Sequence, residues 1–406
     1  MLNMAIAAPV NAAADCITGT LSLSQPHQGV MIVGATVSIE LGWGNLSEAG
    51  GVVCDGSRFT LSAEPGAYRA SGSPADFSPA FNLSFSFADT LGYQAPVPTS
   101  LADGASDRLA LLRKMSGDSV LSLATFLSTY YNRFYASETG RQSAIDLQVR
   151  YERMISAAGR SDDVKVVPVT HAWPMDSTII SFVGHSGNAA ENEVVIVGGH
   201  LDSINRQNWT VNLRTGRAPG ANDDGSAMGL QFALLEVLLA AAWRPPPGVT
   251  FELHAYSGEE VGLYGSLDVA ASYARAGRHV RAMFMIDQAG FVSPFHTPCV
   301  AYYTDNTDVQ LTQFMAKVVA PFYMPEIPLV ESNEDDRADS DFHSWTMHGF
   351  RATYAAEGPI DDIVYGNAKH TPFDTPDGIN VTHALGVGRL IFGAALEIVE
   401  SAGPAL

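Results

Sequence analysis

Val249-Thr-Phe-Glu-Leu-His-Ala-Tyr-Ser-Gly-Glu-Glu260 joins an apolar, strand-like run to two adjacent carboxylates. Side chains alternate along a strand and diverge in the turn that follows it, so Glu259 and Glu260 can face different partners. One carboxylate could bind a metal ion while the other transfers protons, as water-activating metal enzymes require. The same pair could simply begin a helix, where acidic residues complement the helix dipole. The rest of the sequence has to decide between these two interpretations.

Helical and strand-like patterns alternate on both sides of this stretch. Helices are predicted at about 106–115, 119–131, 140–158, 226–242, 263–277 and 307–321. Strands are predicted at 177–183, 194–199, 249–256, 280–287 and near 299–303. Continuous apolar strands separated by helices are typical of a parallel sheet that is covered on both faces. The predicted fold class of residues 105–406 is therefore α/β, with a mixed, mainly parallel β-sheet flanked by helices.

The first hundred residues have a different pattern. Short runs of alternating apolar and polar residues, separated by Gly, Pro and Ser, predict a small β-rich N-terminal extension at 17–100. Residues 1–16 are apolar and rich in alanine but lack a basic segment, which is typical of a degraded signal peptide or a disordered tail. Cys16 and Cys54 could form a disulfide in an exported protein, with Cys299 buried elsewhere. We therefore expect a secreted or extracytoplasmic protein.

Composition excludes several classes of function. The 406 residues include 43 acidic and 23 basic ones, which gives a net charge of −20. Such a surface repels phosphate backbones, so nucleic-acid binding is not expected. No uninterrupted apolar run reaches the roughly 18 residues that a membrane-spanning helix needs. We expect a globular, monomeric protein without a membrane span, whose acidic surface favours amine-bearing molecules.

Acidic residues and a histidine follow several of the predicted strands or precede a helix. These candidates are His200, Asp202, Asp223, Asp224, Glu259, Glu260 and Asp287. Because the carboxyl ends of parallel strands meet at one edge of a sheet, we expect the side chains to lie together. Each has a simpler explanation when it is taken alone, such as a helix N-cap for Asp223 or Asp224. Their convergence on one edge favours a functional site.

Crowded carboxylates need a compensating positive charge. Buried acidic groups tolerate one another only when something cationic balances them, and no Lys or Arg closely flanks these positions in the sequence. A divalent cation, or two, explains the cluster most simply. Mixed His and carboxylate ligands favour zinc, with manganese or cobalt as replacements. A second metal needs a second histidine, for which the candidates are His343, His348, His370 and His383; His370 is favoured because its segment is irregular, as a ligand loop should be.

Several segments recur in the order found in a known family. They are Gly-His-Leu-Asp-Ser at 199–203, Ala-Pro-Gly-Ala-Asn-Asp-Asp-Gly-Ser at 218–226, Ser-Gly-Glu-Glu-Val-Gly-Leu-Tyr-Gly-Ser at 257–266, and the shorter matches at 286–287, 340–341 and 370–371. Tyr-Asn-Arg-Phe-Tyr at 131–135 resembles the entry to the same domain. Over about 105–403 the chain resembles the secreted bacterial leucyl aminopeptidases, which are co-catalytic di-zinc exopeptidases with an α/β core. The resemblance implies a di-zinc peptidase domain at 105–406 and suggests a propeptide role for 17–100.

The resemblance also implies a role for each candidate. One zinc ion would be held by His200 and Asp287 and the other by Glu260 and His370, with Asp223 and a water bridging the two. Asp202 would orient His200. Glu259 would be the general base, which takes a proton from water and passes it to the leaving amine of a peptide with a free N-terminus. Asp224 matches the motif but is expected to cap the helix that follows.

Departures from the family pattern concern substrate binding. Close relatives carry a cysteine pair flanking a tyrosine before the Ser-Asp segment, whereas this chain has Glu-Asp-Asp-Arg-Ala-Asp at 334–339. That disulfide is absent, and Arg337 takes roughly the position of the tyrosine. Gln288 replaces the usual Met after the metal-binding aspartate, and Lys369 precedes His370, so the side-chain pocket is expected to be more polar. Arg337, Gln288 and Tyr365 are the candidate substrate-binding residues.

Two other functions remain open. A carboxypeptidase or a glutaminyl-cyclase-like enzyme could use the same scaffold, although the segments from His200 to Glu260 fit the aminopeptidase pattern better. A catalytically inactive binding module is a third interpretation. Such proteins usually lose metal ligands, whereas every expected ligand and Glu259 are present here.

Overall fold

A computed structural model describes residues 95–184, 192–206, 215–295, 297–332, 340–359 and 368–401, together with short strands among the first 94. The chain divides into two compact units, residues 1–90 and 91–406. The described residues of the first unit form the strands β1 (Met4–Ala5), β2 (Gly19–Leu21), β3 (Val30–Met31), β4 (Glu40–Leu41), β5 (Asn45–Leu46), β6 (Gly50–Asp55), β7 (Arg58–Ser62) and β8 (Tyr68–Arg69). They form one antiparallel sheet in the order β1-β2-β6-β7 and two antiparallel pairs, β3 with β4 and β5 with β8. The Cys16–Cys54 disulfide concerns side chains outside the described residues and stays a prediction.

The second unit is built on one eight-stranded sheet. Its strands are β9 (Val164–Val169), β10 (Ser177–Val183), β11 (Glu193–His200), β12 (Val249–Tyr256), β13 (Val280–Ile286), β14 (Val300–Tyr303), β15 (Leu329–Ser332) and β16 (Ala352–Ala356). They lie in the order β15-β14-β16-β13-β11-β12-β10-β9. Neighbours β11–β12, β11–β13, β13–β16 and β14–β15 are parallel, whereas β9–β10, β10–β12 and β14–β16 are antiparallel. The predicted mixed, mainly parallel α/β fold is confirmed.

Helices flank this sheet. They are α1 (Ala105–Leu112), α2 (Gly117–Ser128), α3 (Glu138–Ala157), α4 (Gly225–Ala240), α5 (Tyr264–Arg275), α6 (Val309–Phe314), α7 (Ala320–Tyr323), α8 (Phe342–Met347) and α9 (Val381–Ser401). Single 3-10 turns occur at Glu259–Val261 and Pro376–Gly378. The helix predicted at 307–321 is divided, because a π-helical segment at Met315–Val319 separates α6 from α7.

Both faces of the sheet are buried. Along β11, Val195 and Val197 pack into the core formed with α1 to α4, α6, α7 and α9, while Val194 and Ile196 pack into a second core with α5 and α8. All four side chains are fully buried. This is why the strand is apolar throughout rather than alternating in polarity.

Three strands of the eight-stranded sheet were not predicted from the sequence. β9 lies at an edge of the sheet and is largely exposed, with Lys165 and Pro168 in its run, so it lacks the apolar pattern of a buried strand. β15 lies at the opposite edge of the sheet and is also partly exposed. β16 is buried but is mostly alanine, a residue with weak strand preference.

One helix is long and apolar enough to cross a membrane, which no run in the sequence had suggested. Among the described residues it is α9, Val381–Ser401, and 78% of its apolar window is buried inside the protein. Its side chains pack in the main core. A core helix meets the length and hydropathy test equally well, and α9 has the burial of one.

A buried ion pair ties α9 to the start of the second unit. Glu397 on α9 accepts hydrogen bonds from the Arg108 Nε at 2.9 Å and from the Tyr323 hydroxyl. Its side chain is 0% exposed and that of Arg108 is 8% exposed. Removing one partner of such a pair leaves the other charge buried without compensation.

We expect Glu397→Ala to lower the free energy of unfolding by about 3–5 kcal/mol, because Arg108 loses its partner in the interior. Urea denaturation would measure this change. The matched control is Glu138→Ala, which breaks the exposed pair between Glu138 and Arg141. It should cost less than about 1 kcal/mol. Equal losses in the two variants would show that the buried pair has no special role.

Candidate metal centre

The carboxyl ends of three neighbouring strands carry the candidate residues. His200 is the last residue of β11, Asp287 follows β13, and Glu259 begins the 3-10 turn after β12. Gly258 precedes that turn with φ +77°, a backbone conformation that glycine adopts without a steric penalty. The strand therefore turns sharply and presents two successive acidic residues at the sheet edge.

Asp223 lies between two histidines. Its Oδ1 is 3.0 Å from His200 Nε2, and its Oδ2 is 3.1 Å from His370 Nε2. Glu260 Oε2 is 2.8 Å from the same nitrogen of His370. Because one carboxylate faces an imidazole with each of its oxygens, Asp223 has the position that a bridging ligand requires.

Asp287 and Glu259 lie on the other side of His200. The Nε2 of His200 is 3.5 Å from Asp287 Oδ1 and 4.0 Å from Glu259 Oε2. Ser340 donates a hydrogen bond of 2.6 Å to the second oxygen of Asp287 and so fixes the carboxylate. The structure thus brings together all five expected ligands and Glu259.

Several carboxylate oxygens of this cluster are buried without a hydrogen bond. They are Asp223 Oδ2, Glu260 Oε1 and Asp287 Oδ1. A buried carboxylate oxygen without a partner is costly, and a cation removes that cost. Donor atoms of Asp223, Glu260 and His370 lie within 4.8 Å of one another, as do those of His200, Asp224 and Asp287. His and carboxylate donors in this arrangement suit zinc.

Asp224 is close enough to be a ligand but is used differently. Its Oδ1 accepts hydrogen bonds from the backbone N–H groups of Ala227 and Gln288, and its Oδ2 accepts one from His200 N–H. Both oxygens are therefore occupied, whereas Asp223 retains an oxygen without a hydrogen bond. Asp224 is the N-cap of α4, as expected, and it also joins the ends of β11 and β13.

Asp202 supports the site in a way that the sequence did not suggest. Its backbone carbonyl lies 3.1 Å from His200 Nδ1, while its carboxylate oxygen is 3.7 Å away from the same nitrogen. The carboxylate instead accepts the N–H groups of Glu259 at 3.0 Å and Glu260 at 3.3 Å. Asp202 therefore fixes the acid pair with its side chain and His200 with its main chain.

Comparison with known proteins identifies the family. A family model described as Peptidase family M28 matches residues 181–395. Leucine aminopeptidase 1 of Arthroderma otae is 33% identical over 315 residues, which cover 75% of this chain and 79% of the relative. The LapA aminopeptidase structure of Legionella pneumophila has a TM-score of 0.66 at 24% identity, over 76% of this chain and 79% of that one. A glutaminyl cyclase structure from an Acidobacteriales bacterium has a TM-score of 0.55 at 18% identity, over 77% of this chain and all of that one.

The chain belongs to peptidase family M28. The expected enzyme class, a zinc-dependent aminopeptidase hydrolase, is confirmed by this membership and by the relative at 33% identity. That relative is fungal, so the family named from the sequence, the bacterial leucyl aminopeptidases, was defined too narrowly. The two solved structures share the fold with this M28 peptidase, and at their identities they show the fold alone.

Two arginines near the M28 site were not predicted from the sequence. Arg133 is far from the ligands in the sequence, and Arg206 does not directly flank one. Arg206 Nη2 lies 3.8 Å from Glu260 Oε2, and the Arg206 N–H donates to the His370 carbonyl at 2.8 Å. Arg133 is fully buried and donates to the carbonyls of Leu201, Pro219 and Gly220. It therefore joins the loop after His200 to the loop before Asp223. The prediction concerned only Lys and Arg residues that closely flank the ligands in the sequence, whereas these two arginines reach the site through the fold.

The loop that carries Asp223 is also fixed by hydrogen bonds to Asp374 and Glu357. Asp374 accepts the N–H of Asn222 at 2.9 Å with one carboxylate oxygen and the N–H of Asp223 at 3.0 Å with the other. The Asn222 side chain donates to Glu357 at 2.8 and 3.0 Å. Asp374 lies four residues after His370, in the same irregular segment of the sequence. A local sequence pattern does not reveal that its carboxylate binds the backbone N–H groups of Asn222 and Asp223, about 150 residues earlier.

The pKa values of several buried acidic groups are shifted because their negative charge is poorly solvated. Burial, above all, and then Asp287 and Glu260 raise the pKa of Glu259 well above its ordinary value, against the lowering effect of His200. Burial is also the main cause that raises the pKa of Asp341 to about 8. For His200, burial lowers the pKa of the imidazole. The negative charges of Asp287 and Glu259 outweigh this effect, so its pKa is raised well above the ordinary value. Without a cation, Glu259, Asp341 and His200 therefore bind protons more strongly than they would in water.

The other candidate histidines are not part of this cluster. His348 Nδ1 contacts the carbonyl of Ser344, and His383 Nε2 contacts that of Glu357, so each has a structural partner. His343 is buried in α8. Gln288 is 3% exposed and directly follows Asp287. Arg337 and Tyr365 fall outside the described residues, so their substrate-binding roles stay predictions.

We expect Asp374→Asn to lower zinc affinity by about 10- to 100-fold, because an amide presents N–H groups where the backbone N–H of Asn222 or Asp223 needs an acceptor. Competition with a fluorescent chelator would measure the affinity. The control is Asp377→Asn, an exposed acid three residues later, which should leave it unchanged. The same affinity in both variants would contradict a supporting role for Asp374.

Proposed function

We propose that this M28 peptidase removes N-terminal residues from peptides with two zinc ions and with Glu259 as general base. The observation that carries the proposal is Asp223, whose two oxygens face His200 and His370. One ion would be held by His200 and Asp287 and the second by Glu260 and His370. Zinc bound there would polarise the scissile carbonyl, activate water and stabilise the charge that develops on the carbonyl oxygen.

Glu259 is suited to carry the proton. Its side chain is 13% exposed, so it reaches the open side of the site, whereas that of Glu260 is 2% exposed and faces His370. Asp202 holds the backbone of both residues and so fixes their separate directions. A raised pKa matches Glu259 to its task, because the carboxylate must accept a proton from water and release it to the leaving amine.

A free α-amine is the group that this site would recognise. Acidic side chains outnumber basic ones around the cluster, and the whole chain carries a net charge of −20. An ammonium group is therefore attracted to the site. The name of the fungal relative supports leucine as an N-terminal residue. Gln288 and Lys369 favour a more polar pocket, so acceptance of polar residues is part of the proposal.

Two alternatives are weaker. The glutaminyl cyclase structure shares the fold alone at 18% identity, and that similarity does not transfer its chemistry. An inactive binding module would not need all five ligand positions and Glu259, and the short distances between these side chains support an enzyme instead. We also propose that the protein is exported and that residues 17–100 act as a propeptide.

We expect Glu259→Gln to lower kcat on leucyl-p-nitroanilide by about 10²–10⁴-fold, because the amide accepts no proton. Zinc content, measured by mass spectrometry, should stay at two ions per chain. Glu138→Gln, which changes an exposed glutamate of α3, is the control and should retain full activity. Unchanged turnover in Glu259→Gln would contradict the mechanism.

The substrate class is tested with a panel. Aminoacyl nitroanilides should be hydrolysed, while N-blocked peptides should resist cleavage because they lack the amine. Conversion of N-terminal glutaminyl peptides to a cyclic product, without hydrolysis of nitroanilides, would favour the cyclase instead.

A further inference from the structure

Three aromatic side chains lie together beside the turn that carries Glu259. The ring centroids of Tyr135, Trp173 and Tyr264 are 5.8 to 5.9 Å apart in each pairing. Each residue is half-buried. The two tyrosines also lie against Gly258, where an added Cβ would be 3.3 Å from Tyr264 and 3.6 Å from Tyr135. We call these three residues the aromatic cluster.

Trp173 is fixed in its orientation. Its ring stacks on His171 with centroids 4.4 Å apart and planes 9° from parallel, and its Nε1 donates to Ser257 Oγ at 2.9 Å. His171 is itself held by Asp268 at 2.7 Å and by Ser177 at 2.8 Å. A ring that is oriented before a ligand arrives adds contact area at little cost in conformational entropy.

The cluster lies on the Glu259 side of the site. The strands that carry the site are arranged in the order β13-β11-β12-β10, so Glu259 stands between the metal ligands of β11 and β13 and the strand β10. Trp173 precedes β10, whose first residue, Ser177, accepts the N–H of Ser257 at 3.0 Å. The aromatic cluster is therefore the next surface beyond Glu259 along this edge.

The direction of the substrate follows from the role of Glu259. In the proposed reaction the leaving nitrogen takes its proton from Glu259, so that nitrogen lies next to this carboxylate. The peptide beyond the scissile bond then extends away from the metal ligands, and the aromatic cluster is the surface that it meets.

We propose that the aromatic cluster binds the side chain that follows the scissile bond and favours apolar and aromatic residues at that position. The proposal rests on the aminopeptidase function and on Glu259 as the proton carrier. It assigns a contact to the leaving part of the peptide, whereas the metal centre proposed above would act on the N-terminal residue and the carbonyl. Aromatic rings attract apolar side chains through buried area and other rings through edge-to-face packing.

The test compares leucyl-phenylalanine amide with leucyl-glycine amide. The measured quantity is the ratio of the two kcat/KM values, because damage to the catalytic groups lowers both values together. We expect Tyr264→Ala and Trp173→Ala to lower this ratio about five- to tenfold, in line with the usual strength of aromatic contacts. Tyr264→Phe keeps the ring and should keep the ratio. Tyr302→Ala removes a half-buried tyrosine of β14, near the opposite edge of the sheet, and is the matched control.

An unchanged ratio in Tyr264→Ala and Trp173→Ala would overturn the proposal. A parallel fall in both kcat/KM values would also overturn it, because the rings would then only support the Glu259 turn. A binding measurement separates this subsite from the reaction itself. Calorimetry with Glu259→Gln, in which the dipeptide amides stay intact, should show tighter binding of the phenylalanine compound, and addition of Tyr264→Ala should remove the difference. Equal affinities in Glu259→Gln alone would overturn the subsite even if the aminopeptidase function held.

Discussion

Carboxylates buried together at one edge of a sheet repel one another and lose their hydration, so they persist only where positive charge balances them. Asp223 is at the centre of this constraint, since its two oxygens face two histidines and one of them accepts no hydrogen bond. Protonated histidines and the nearby Arg133 and Arg206 compensate only part of this charge. The proposed pair of divalent cations would compensate it directly, and the same cations would supply the chemistry of an M28 aminopeptidase.

Much of the surrounding structure serves to hold this unfavourable arrangement. Backbone N–H groups and buried side chains take up the oxygens that do not face the centre, as Asp202, Asp224 and Asp374 show. Arg133 contributes a buried positive charge, and its bonds to main-chain carbonyls join two ligand loops. Such supporting groups set the geometry and the affinity of a metal site as much as the ligands do. The fold can hold them because the parallel strands end at one edge and their loops pack on one another.

Sequence patterns predicted the elements that are long, apolar and buried. The runs 177–183 and 249–256 are strands with the predicted bounds, because each lies inside the sheet and carries the apolar pattern of such a strand. β9 and β15 were missed because edge strands are partly exposed, and β16 because alanine gives little strand signal. The sequence predicted that Asp202 contacts His200 but missed its contacts with Glu259 and Glu260. A spacing of two residues from His200 suggests a contact between neighbours, while the contact with Glu259 and Glu260 spans more than fifty residues.

By itself, the sequence determined the fold class, the family and the set of residues that converge on the candidate metal centre. It could do so because strand ends and loop motifs are local features, and their order along the chain is specific. Tertiary structure alone decided which buried side chains hold these residues in place, namely Asp202, Asp374 and Arg133. It also decided that Tyr135, Trp173 and Tyr264, from three separate segments, form one surface beside Glu259. These properties depend on distances between segments far apart in the chain, and such distances exist only once the sheet has formed.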